Sequence, residues 1–421
     1  MYRKLFLLPI FLVLVTAQGT ASAGDSSPAG SPVVKTLPAA KAIMAEKLGK
    51  QIFFDKNLSA HNNQSCSVCH LPSAGFSGPD STTNSLGGVY MGSVDGLFVN
   101  RKPPSAAYAG YSPVLHQQDD GTWCGGMFWD GRATGKSLGD PLTEQALIPF
   151  LNPPEHALPN SAELVRRVCA ASYAGLFRSF WGKDACSDVN KSYEYIGRSI
   201  AAYERSKEVN PFSSKYDYFL KGKAVLTQAE AKGLALFNDE EKGKCAQCHP
   251  SKVDPENPGP VVFTDFTYDN LGLPKNPLNP YYYILSLNPL GVHWVDLGLG
   301  AILNAPSENG RHKVSTLRNV DKRPYPTSVK AYGHNGYFKS LQSIVHFYNT
   351  RDVLRTCSEP LAVGDAPGEN CWPAPEYAET VNKKELGNLG LSSEEEADIV
   401  AFLKTLSDGW RPEAPKTAKK L

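Results

Sequence analysis

The sequence predicts a mainly α-helical fold with long irregular loops and two related domains. Apolar residues recur at helical spacing along most of the chain, whereas the alternating pattern of a half-buried strand is scarce. The 36 Gly and 32 Pro residues favour long loops between short helices. One short cysteine motif occurs twice, with its copies 179 residues apart, and such a repeat indicates two domains of one ancestral type.

The composition is that of a soluble globular protein. Hydrophobic residues make up 41% of the 421 residues and charged residues 20%, which excludes a disordered chain and a multi-span membrane protein. The 43 Lys and Arg residues are balanced by 42 Asp and Glu residues. Nucleic-acid binding requires a basic surface that neutralises phosphates, so we expect no nucleic-acid partner.

The N-terminal segment, 1–23, predicts a secretory signal peptide. Arg3 and Lys4 precede an apolar segment at 5–15, which is too short to span a bilayer. Small residues then form a cleavage site near Ala23, and an uncleaved membrane anchor is the alternative. We therefore expect a periplasmic protein without a stable membrane span, in a compartment where disulfides persist.

The rest of the chain is predicted to divide at a polar and aromatic segment, 210–224, that precedes a new helix. A leader rich in Ser, Gly and Pro comes first, and segments of this composition are flexible. The predicted parts are the leader at 24–36, an N-terminal domain at 37–212, a C-terminal domain at 213–412 and a tail at 413–421.

Helical patterns precede both copies of the cysteine motif and close the chain. A short amphipathic helix leads into each copy, at 48–54 and at 232–237. Helical spacing also marks 161–168, where Ser161 is the candidate N-cap. The last helix is predicted to open at Ser392, an N-cap residue followed by an acidic first turn.

The repeated motif is CxxCH, at 66–70 and at 245–249. Two thiols three positions apart and an adjoining His form the attachment site of c-type haem, where the thiols bind the porphyrin and the imidazole binds the iron. A redox-active CxxC needs no His, and a zinc site needs a second ligand pair, which is missing nearby. We expect two covalent haem c groups in two cytochrome-c-like domains, held by Cys66, Cys69, His70, Cys245, Cys248 and His249.

Five further cysteines remain after haem attachment. Cys169 with Cys186, and Cys357 with Cys371, each enclose a short segment and are plausible disulfides in an oxidising compartment. Cys124 is then a buried free thiol, or it replaces one of those partners.

The second ligand of each iron decides between electron transfer and catalysis. A haem with two strong protein ligands carries electrons, whereas a haem with one open face binds peroxide or oxygen. The four Met residues are Met1, Met44, Met91 and Met127, so the C-terminal domain has no Met for its own haem. That haem must take His, Tyr, Lys, water or no second ligand.

Three segments resemble the bacterial dihaem cytochrome c peroxidase and MauG family: TLRNV at 316–320, YGHNG at 332–336 and IVHFY at 344–348. The resemblance extends over essentially the whole mature chain. In that family the second ligand of the C-terminal haem lies fourteen residues after the His of an HDG-like motif, which here is Tyr348. A Tyr there resembles the MauG branch, which matures protein tryptophan cofactors.

Other roles for these side chains stay open. Tyr348 also fits as a core aromatic on the same helix face as Ile344 and Val345. His334 and His346 are the alternative ligands of the second iron.

The N-terminal half carries further family motifs. FWDGR at 128–132 resembles the motif whose Trp passes electrons between the haems, a role that the resemblance gives to Trp129. Gln145, Pro149 and Glu155 follow the family's spacing around the open face of the first haem. Glu155 is then the acid and base for peroxide, Gln145 positions peroxide, and Pro149 keeps the iron open. The alternative interpretations are that Trp129 only packs in the core and that Glu155 is a solvated residue without a catalytic role.

Two more expectations come from the resemblance. Many peroxidases of this family have a first-domain His that must leave the iron before activity. This chain has no His between His70 and His116, so we expect the first haem to be open at rest. The family also binds one calcium ion through backbone carbonyls, for which Asn100, Val329 and Ala331 are the matching residues.

The resulting prediction is an exported enzyme that reacts with hydrogen peroxide at its first haem and shares oxidising equivalents with its second. Its final reaction is MauG-like oxidation of a residue, Trp being the candidate, on a partner protein. The alternatives are peroxide detoxification with electrons from a small redox protein, and an electron carrier without catalysis. The carrier would need a second ligand for the first iron, for which His61, His116 and Met91 are candidates. The sequence does not specify an oligomeric state.

Overall fold

The secondary structure is mainly α-helical, as the sequence predicts, and β-strands make up only a small part of it. The computed structural model describes residues 39–253, 255, 259–359 and 368–412. The predicted signal, leader and tail therefore lie outside the described residues. Within the ranges described, no helix has both the length and the apolar character needed to cross a membrane.

The helices of the described chain have between 4 and 16 residues. They are α1 (Ala39–Phe53), α2 (Cys66–Cys69), α3 (Ser81–Ser85), α4 (Pro141–Leu151), α5 (Ser161–Ala170), α6 (Ala174–Trp181), α7 (Val189–Glu204), α8 (Lys215–Leu220), α9 (Gln228–Phe237), α10 (Leu299–Leu303), α11 (Leu341–Thr350) and α12 (Ser393–Lys404). Single 3₁₀ turns lie at Lys56–Leu58, Pro72–Ala74, Ala109–Tyr111, Cys245–Gln247, Pro280–Tyr283, Gly291–His293 and Pro306–Glu308.

The strands found in the described ranges form three isolated pairs, in which each strand has two residues. The antiparallel pairs are β1 (His116–Gln117) with β2 (Trp123–Cys124), and β3 (Tyr268–Asp269) with β4 (His312–Lys313). The parallel pair is β5 (Arg355–Thr356) with β6 (Cys371–Trp372). Their registers place His116 opposite Cys124, Tyr268 opposite Lys313, and Arg355 opposite Cys371.

The first hydrophobic core lies between α1, α4, α5 and α7. Phe53 of α1 packs there with Phe150 of α4 and Ile196 of α7, and all three are buried. Helix α1 crosses α7 at Gly49, where a Cβ atom would lie 1.9 Å from the carbonyl oxygen of Ser199. Only Gly allows the two backbones to approach this closely.

The second core repeats this arrangement with α9 and α12. Phe237, Phe347 and Phe402 are fully buried in it. Helix α9 crosses α12 at Gly233, where a Cβ atom would lie 1.9 Å from the carbonyl oxygen of Asp398. Each helix that leads into a CxxCH motif therefore meets the last helix of its core at a glycine. The domain limits 37–212 and 213–412 remain a prediction, because the described residues form one compact unit.

A buried ion pair joins the two cores. Arg318 donates to both carboxylate oxygens of Asp217, at 3.0 Å from Nη1 and 2.8 Å from Nη2. Its guanidinium also lies over the rings of Tyr108 and Phe212, at 4.7 and 4.4 Å from their centres. Tyr108 belongs to the first core, whereas Asp217 lies on α8 beside the second.

The helix caps confirm one prediction and correct another. Ser392 caps α12, since its hydroxyl accepts from the Glu395 N–H and the Glu395 carboxylate accepts from the Ser392 N–H. The cap predicted at Ser161 is wrong. Asn160 is the N-cap of α5, and its side-chain oxygen accepts from the Glu163 N–H at 3.0 Å. Asn and Ser side chains both reach the free amides of a first turn, so the pattern alone did not separate them.

The cysteines pair as predicted outside the CxxCH motifs. The disulfides are Cys169–Cys186 and Cys357–Cys371. Cys124 is a buried free thiol whose Sγ lies 3.4 Å from the carbonyl oxygen of Asp265.

Candidate active site

The first CxxCH motif is one helical turn that fixes its histidine. The His70 N–H donates to the Cys66 carbonyl at 2.9 Å at the end of α2. His70 Nδ1 lies 3.0 Å from the carbonyl oxygen of Phe76, which can only accept, so Nδ1 carries the proton. Burial lowers the pKa of His70 to about 4 and keeps the ring neutral. Its Nε2 therefore offers a lone pair to a metal.

The second CxxCH motif repeats these contacts on a 3₁₀ turn. The His249 N–H donates to the Cys245 carbonyl at 3.0 Å. His249 Nδ1 lies 2.8 Å from the carbonyl oxygen of Phe263, and burial lowers the pKa of His249 to about 4. The two histidines thus share one tautomer, with the proton on Nδ1 and the lone pair on Nε2, which is the form that binds iron.

A cavity of about 700 Å³ opens beside the first motif, within the range of cofactor sites. Its wall brings together every residue predicted for the first haem: Cys66, Cys69, His70, Trp129, Gln145, Pro149 and Glu155. Gln145 and Pro149 lie four positions apart on α4 and therefore share one helix face.

Glu155 is held at this first cavity by neighbouring groups, unlike a solvated loop residue. Its Oε2 accepts from Asn152 Nδ2 at 2.6 Å, and its backbone carbonyl accepts from the Ser93 N–H at 2.6 Å. Burial raises the pKa of Glu155 above its ordinary value, although the Asn152 bond and the charge of Arg132 oppose the shift. Glu155 can therefore hold a proton closer to neutral pH than a surface Glu, as a proton donor to substrate requires.

A narrower cavity of about 210 Å³ lies beside the second motif, and its wall includes Cys245, Cys248, His249 and Tyr348. Burial raises the pKa of the Tyr348 phenol. Its hydroxyl has no hydrogen-bond partner among the residues that the structure describes, so the oxygen remains available to a ligand.

The two alternative histidine ligands are placed differently. His334 also lines the second cavity. His346 does not, because its Nδ1 lies 3.0 Å from Glu396 Oε1 at the contact between α11 and α12.

Comparison with known proteins agrees with these two sites. The family model for di-haem cytochrome c peroxidases matches residues 44–225. The methylamine utilization protein MauG of Paracoccus denitrificans is 33% identical to this chain over 412 residues, covering 97% of this chain and 96% of that protein. The chain belongs to the dihaem cytochrome c peroxidase and MauG family.

Other members of this family are similar over most of their length. Cytochrome-c peroxidase IdrP2 of Denitromonas iodatirespirans is 27% identical over 423 residues, covering 96% of this chain and 92% of that protein. The crystal structure of the diheme peroxidase BthA from Burkholderia thailandensis has a TM-score of 0.68 and 30% identity, covering 87% of this chain and 86% of that chain. As a family member, the protein is a peroxidase-type oxidoreductase with two haem c groups.

The described residues fit a covalent haem in each cavity. Each site has two thiols and one neutral His with a free Nε2. Haem also carries two carboxylates, which need donors when they are buried. In the second cavity, His312 Nε2 and His334 Nε2 are buried without a hydrogen-bond partner in the described chain, and Lys102 and Lys313 line the same wall. His334, Lys102 and Lys313 can donate to the carboxylates, whereas the neutral His312 ring carries its proton on Nδ1, 3.0 Å from the Gly310 carbonyl oxygen, and its Nε2 can only accept.

A metal ion fits this histidine pair less well. Asp296, His312 and His334 bring three ligand-type atoms within 4.8 Å of one another. However, Asp296 already accepts from Arg101 through both oxygens at 2.6 Å and from the Gly298 N–H at 3.0 Å. His312 Nε2 lies 3.3 Å from Asp296 Oδ1 without forming a hydrogen bond to it. The two imidazoles stack 3.5 Å apart at 6°, and parallel rings do not direct both lone pairs at one ion.

Trp129 lies between the two sites and lines both cavities. Its indole N–H donates to the Lys102 carbonyl at 2.7 Å, and its own carbonyl accepts from the Lys313 N–H at 2.8 Å. Its ring lies 6.4 Å from that of His334. The remaining residues of FWDGR support this position, since Arg132 covers the Phe128 ring at 3.6 Å and bonds to Asp130.

The residues predicted for calcium have other partners. The Asn100 carbonyl accepts from Asn279 Nδ2 at 2.9 Å, and the Val329 carbonyl accepts from Asn84 Nδ2 at 3.0 Å. Ala331 is buried at the second cavity. A carbonyl oxygen has two lone pairs, so calcium binding at this place remains a prediction.

The residues considered as a second ligand of the first iron lie outside the first cavity wall. His61 Nδ1 is 2.9 Å from the Ser93 carbonyl oxygen. His116 and Met91 are exposed, on β1 and on a loop.

Sequence reasoning missed two buried titratable residues of the first cavity. His156 lines the wall beside Glu155, and its place after a catalytic candidate was the one available signal. Glu204, at the end of α7, also lines it, and burial raises the pKa of Glu204 to about 8. Nothing in the local sequence separates Glu204 from a surface Glu, because its position depends on packing against the first core.

Proposed function

We propose that this enzyme uses hydrogen peroxide to oxidise a residue, Trp being the candidate, on a partner protein. Peroxide enters the first cavity, and the oxidising equivalents are shared with the second site before they leave for the partner. When bound, the two haems supply the redox chemistry of iron. The protein supplies the ligands, the protons and the path between the sites.

Tyr348 is the observation that carries this proposal. It lines the same cavity as His249 and has no hydrogen bond to its hydroxyl within the described residues. A phenolate oxygen is a strong anionic ligand that stabilises oxidised iron, in contrast to the thioether of Met. A second haem held by His249 and Tyr348 would therefore retain oxidising equivalents. The MauG of P. denitrificans, at 33% identity, supports the same branch.

The first cavity provides for proton transfer and for an open iron. Glu155 can protonate the oxygen that leaves as peroxide divides, because its pKa is raised and its carboxylate is held by Asn152. Gln145 presents an amide that can donate to peroxide and accept from it. Pro149 has no N–H and no ligand atom, so its ring would occupy space on the wall without binding iron.

Trp129 is the route that we assign between the two sites. Its ring contacts both cavities, and its hydrogen bond to Lys102 fixes the ring orientation. An indole can lose and regain an electron, so one ring between two redox centres can act as a relay.

Peroxide detoxification is the second candidate function. The 27% identical cytochrome-c peroxidase IdrP2 favours it, with a small redox protein as the electron donor. An electron carrier without catalysis is disfavoured, because His61, His116 and Met91 lie outside the first cavity wall.

We also propose the setting in which the enzyme acts. The N-terminal segment at 1–23 and the two disulfides support export to the periplasm. One calcium ion would be held through the carbonyls of Asn100, Val329 and Ala331. Calcium measured by atomic emission after dialysis against metal-free buffer tests this, and a protein free of calcium would contradict it.

The test of function uses two substrates side by side. The purified dihaem protein is given peroxide with either a periplasmic extract from a strain that lacks it or a reduced small cytochrome c. We expect oxygen-atom additions on Trp of one extract protein by peptide mass spectrometry, and a weaker effect with Tyr348→Phe. Rapid catalytic oxidation of the cytochrome with an unmodified extract would overturn the proposal in favour of detoxification.

A further inference from the structure

His156 is a second ionisable residue at the predicted peroxide site. It is 3% exposed and lines the first cavity next to Glu155. Its Nδ1 lies 2.8 Å from the Leu58 carbonyl oxygen, and Phe150 packs edge-on to its ring at 4.8 Å. These contacts fix both the position and the plane of the imidazole.

The contact to Leu58 also fixes which nitrogen carries the proton. A carbonyl oxygen can only accept, so Nδ1 is the donor and Nε2 has the lone pair. Burial lowers the pKa of His156 to about 4, which keeps this tautomer neutral at ordinary pH. Nε2 has no hydrogen-bond partner among the described residues, so a buried proton acceptor borders the cavity.

The other polar side chains at this wall are poorer acceptors. Burial raises the pKa of Glu155 above its ordinary value and raises that of Glu204 to about 8, so both carboxyl groups hold a proton to higher pH than a surface Glu does. The amide of Gln145 is not a base. Neighbouring groups with pKa values shifted in opposite directions are the usual arrangement of an acid and a base.

We propose that His156 is the base that removes a proton from hydrogen peroxide in the first cavity. The O–H bond of peroxide breaks, an N–H bond forms at His156 Nε2, and the hydroperoxide anion remains. This step transfers a proton and no electron, and a protonated Glu155 can then donate to the oxygen that leaves later. The inference rests on the proposed function only in that the first cavity must admit peroxide.

Cyanide tests the step without any turnover. Hydrogen cyanide must lose a proton to bind ferric haem, as peroxide must, whereas nitric oxide binds without losing one. His156→Asn keeps an amide N–H at the position of Nδ1, where it can still donate to Leu58, but removes the basic nitrogen. His61→Asn is the matched control, because His61 Nδ1 also lies 2.9 Å from a backbone carbonyl oxygen, outside the cavity wall.

We expect His156→Asn to slow cyanide association, followed by stopped-flow absorbance of the ferric dihaem protein, by roughly 100-fold or more. Nitric oxide association should be unchanged in the variant, and His61→Asn should match the wild type for both ligands. A His156→Asn protein that binds cyanide as fast as the wild type would overturn the inference.

Two further outcomes separate this inference from the proposed function. Equal slowing of cyanide and nitric oxide would show that the cavity had changed shape, and would also overturn the assignment of His156 as a base. A wild-type protein that binds neither ligand would mean a closed first iron, and both the inference and the proposed function would fail. Unchanged cyanide binding in His156→Asn leaves the proposed function standing.

Discussion

The indole N–H of Trp129 donates to the backbone carbonyl of Lys102 over 2.7 Å, and both residues line both cavities. Lys102 is itself bound through its N–H to the His334 carbonyl at 2.8 Å. This short chain of contacts connects the wall of the first site to the wall of the second. In the function that we propose, these contacts would let the two haem sites act as one redox unit.

Trp129→Phe should therefore separate the two sites without removing either haem. Phe retains an aromatic ring but lacks the N–H and is harder to oxidise. We expect the response of the second haem to peroxide, followed by rapid-scan absorbance, to slow at least tenfold, which corresponds to about 1.4 kcal/mol of activation free energy. Trp181→Phe is the matched control, since Trp181 stacks on Tyr195 at 4.2 Å and lines neither cavity. Equal rates in both variants would argue against a relay at Trp129.

Glu155→Gln should impair the reaction with peroxide while both haems stay attached. The amide keeps the size of the side chain and a contact to Asn152, but it cannot deliver a proton. Loss of a general acid typically costs about 10²–10⁴ in rate, so we expect the peroxide-dependent absorbance change to slow within that range. Peroxide kinetics equal to those of the wild type would remove Glu155 from the mechanism.

Tyr348→Phe should change the second haem alone. The variant removes one oxygen from a partly buried side chain that packs against the second core. We expect the low-spin EPR signal of this haem to change and its reduction potential to rise, because an anionic ligand is lost. His346→Asn serves as the control, since His346 faces Glu396 and lies outside the cavity wall. A spectrum that changes in His346→Asn and not in Tyr348→Phe would make His346, and not Tyr348, the ligand of the second iron.

Asp217→Asn should destabilise the protein through the buried partner that it leaves unpaired. Removing one member of a buried ion pair costs about 3–5 kcal/mol, measured as the free energy of unfolding in denaturant. The exposed pair of Lys50 and Glu208, at 2.7 Å, provides the contrast, and Glu208→Gln should cost under about 1 kcal/mol. A similar loss of unfolding free energy in both variants would mean that the buried pair of Arg318 and Asp217 contributes little to stability.

The buried pair of Asp217 and Arg318 should make the stability of the protein depend on pH in acidic solution. Burial would raise the pKa of Asp217, but the hydrogen bonds and charge of Arg318 outweigh it and hold the pKa below its ordinary value. A carboxyl with a lowered pKa stabilises the fold above the pKa of the unfolded chain, about 3.9, and loses this contribution as the pH falls through the folded value. Asp217→Asn should lack this part of the acid-induced loss, as measured by melting temperature between neutral and acid pH.

Local chemistry explains what the sequence could predict. The CxxCH motifs contain their own ligands, so these six residues were found from the motif alone, whereas Tyr348 was found through the family resemblance, by its position fourteen residues after His334. Gln145 and Pro149 lie on one turn of α4, and Glu155 follows shortly after it. The side chains identified from these motifs then lie together in the walls of the two cavities.

Long-range packing explains what the sequence could not predict. His346 fits a ligand by position, yet it faces Glu396, fifty residues later, because α11 packs on α12. His156 follows Glu155 in the sequence, but its position at the cavity wall depends on long-range packing, including its contact with Leu58, ninety-eight positions earlier. The glycine crossings at Gly49 and Gly233 likewise depend on helices far along the chain.

The proposed function depends on an open first iron beside Glu155 and on a second iron held by His249 and Tyr348. EPR and visible absorption of the resting ferric protein, followed by stoichiometric peroxide without an electron donor, test it most directly. We predict one high-spin and one low-spin haem, and immediate consumption of the peroxide by the fully oxidised protein. Two low-spin haems that ignore peroxide until the protein has been reduced would contradict the account.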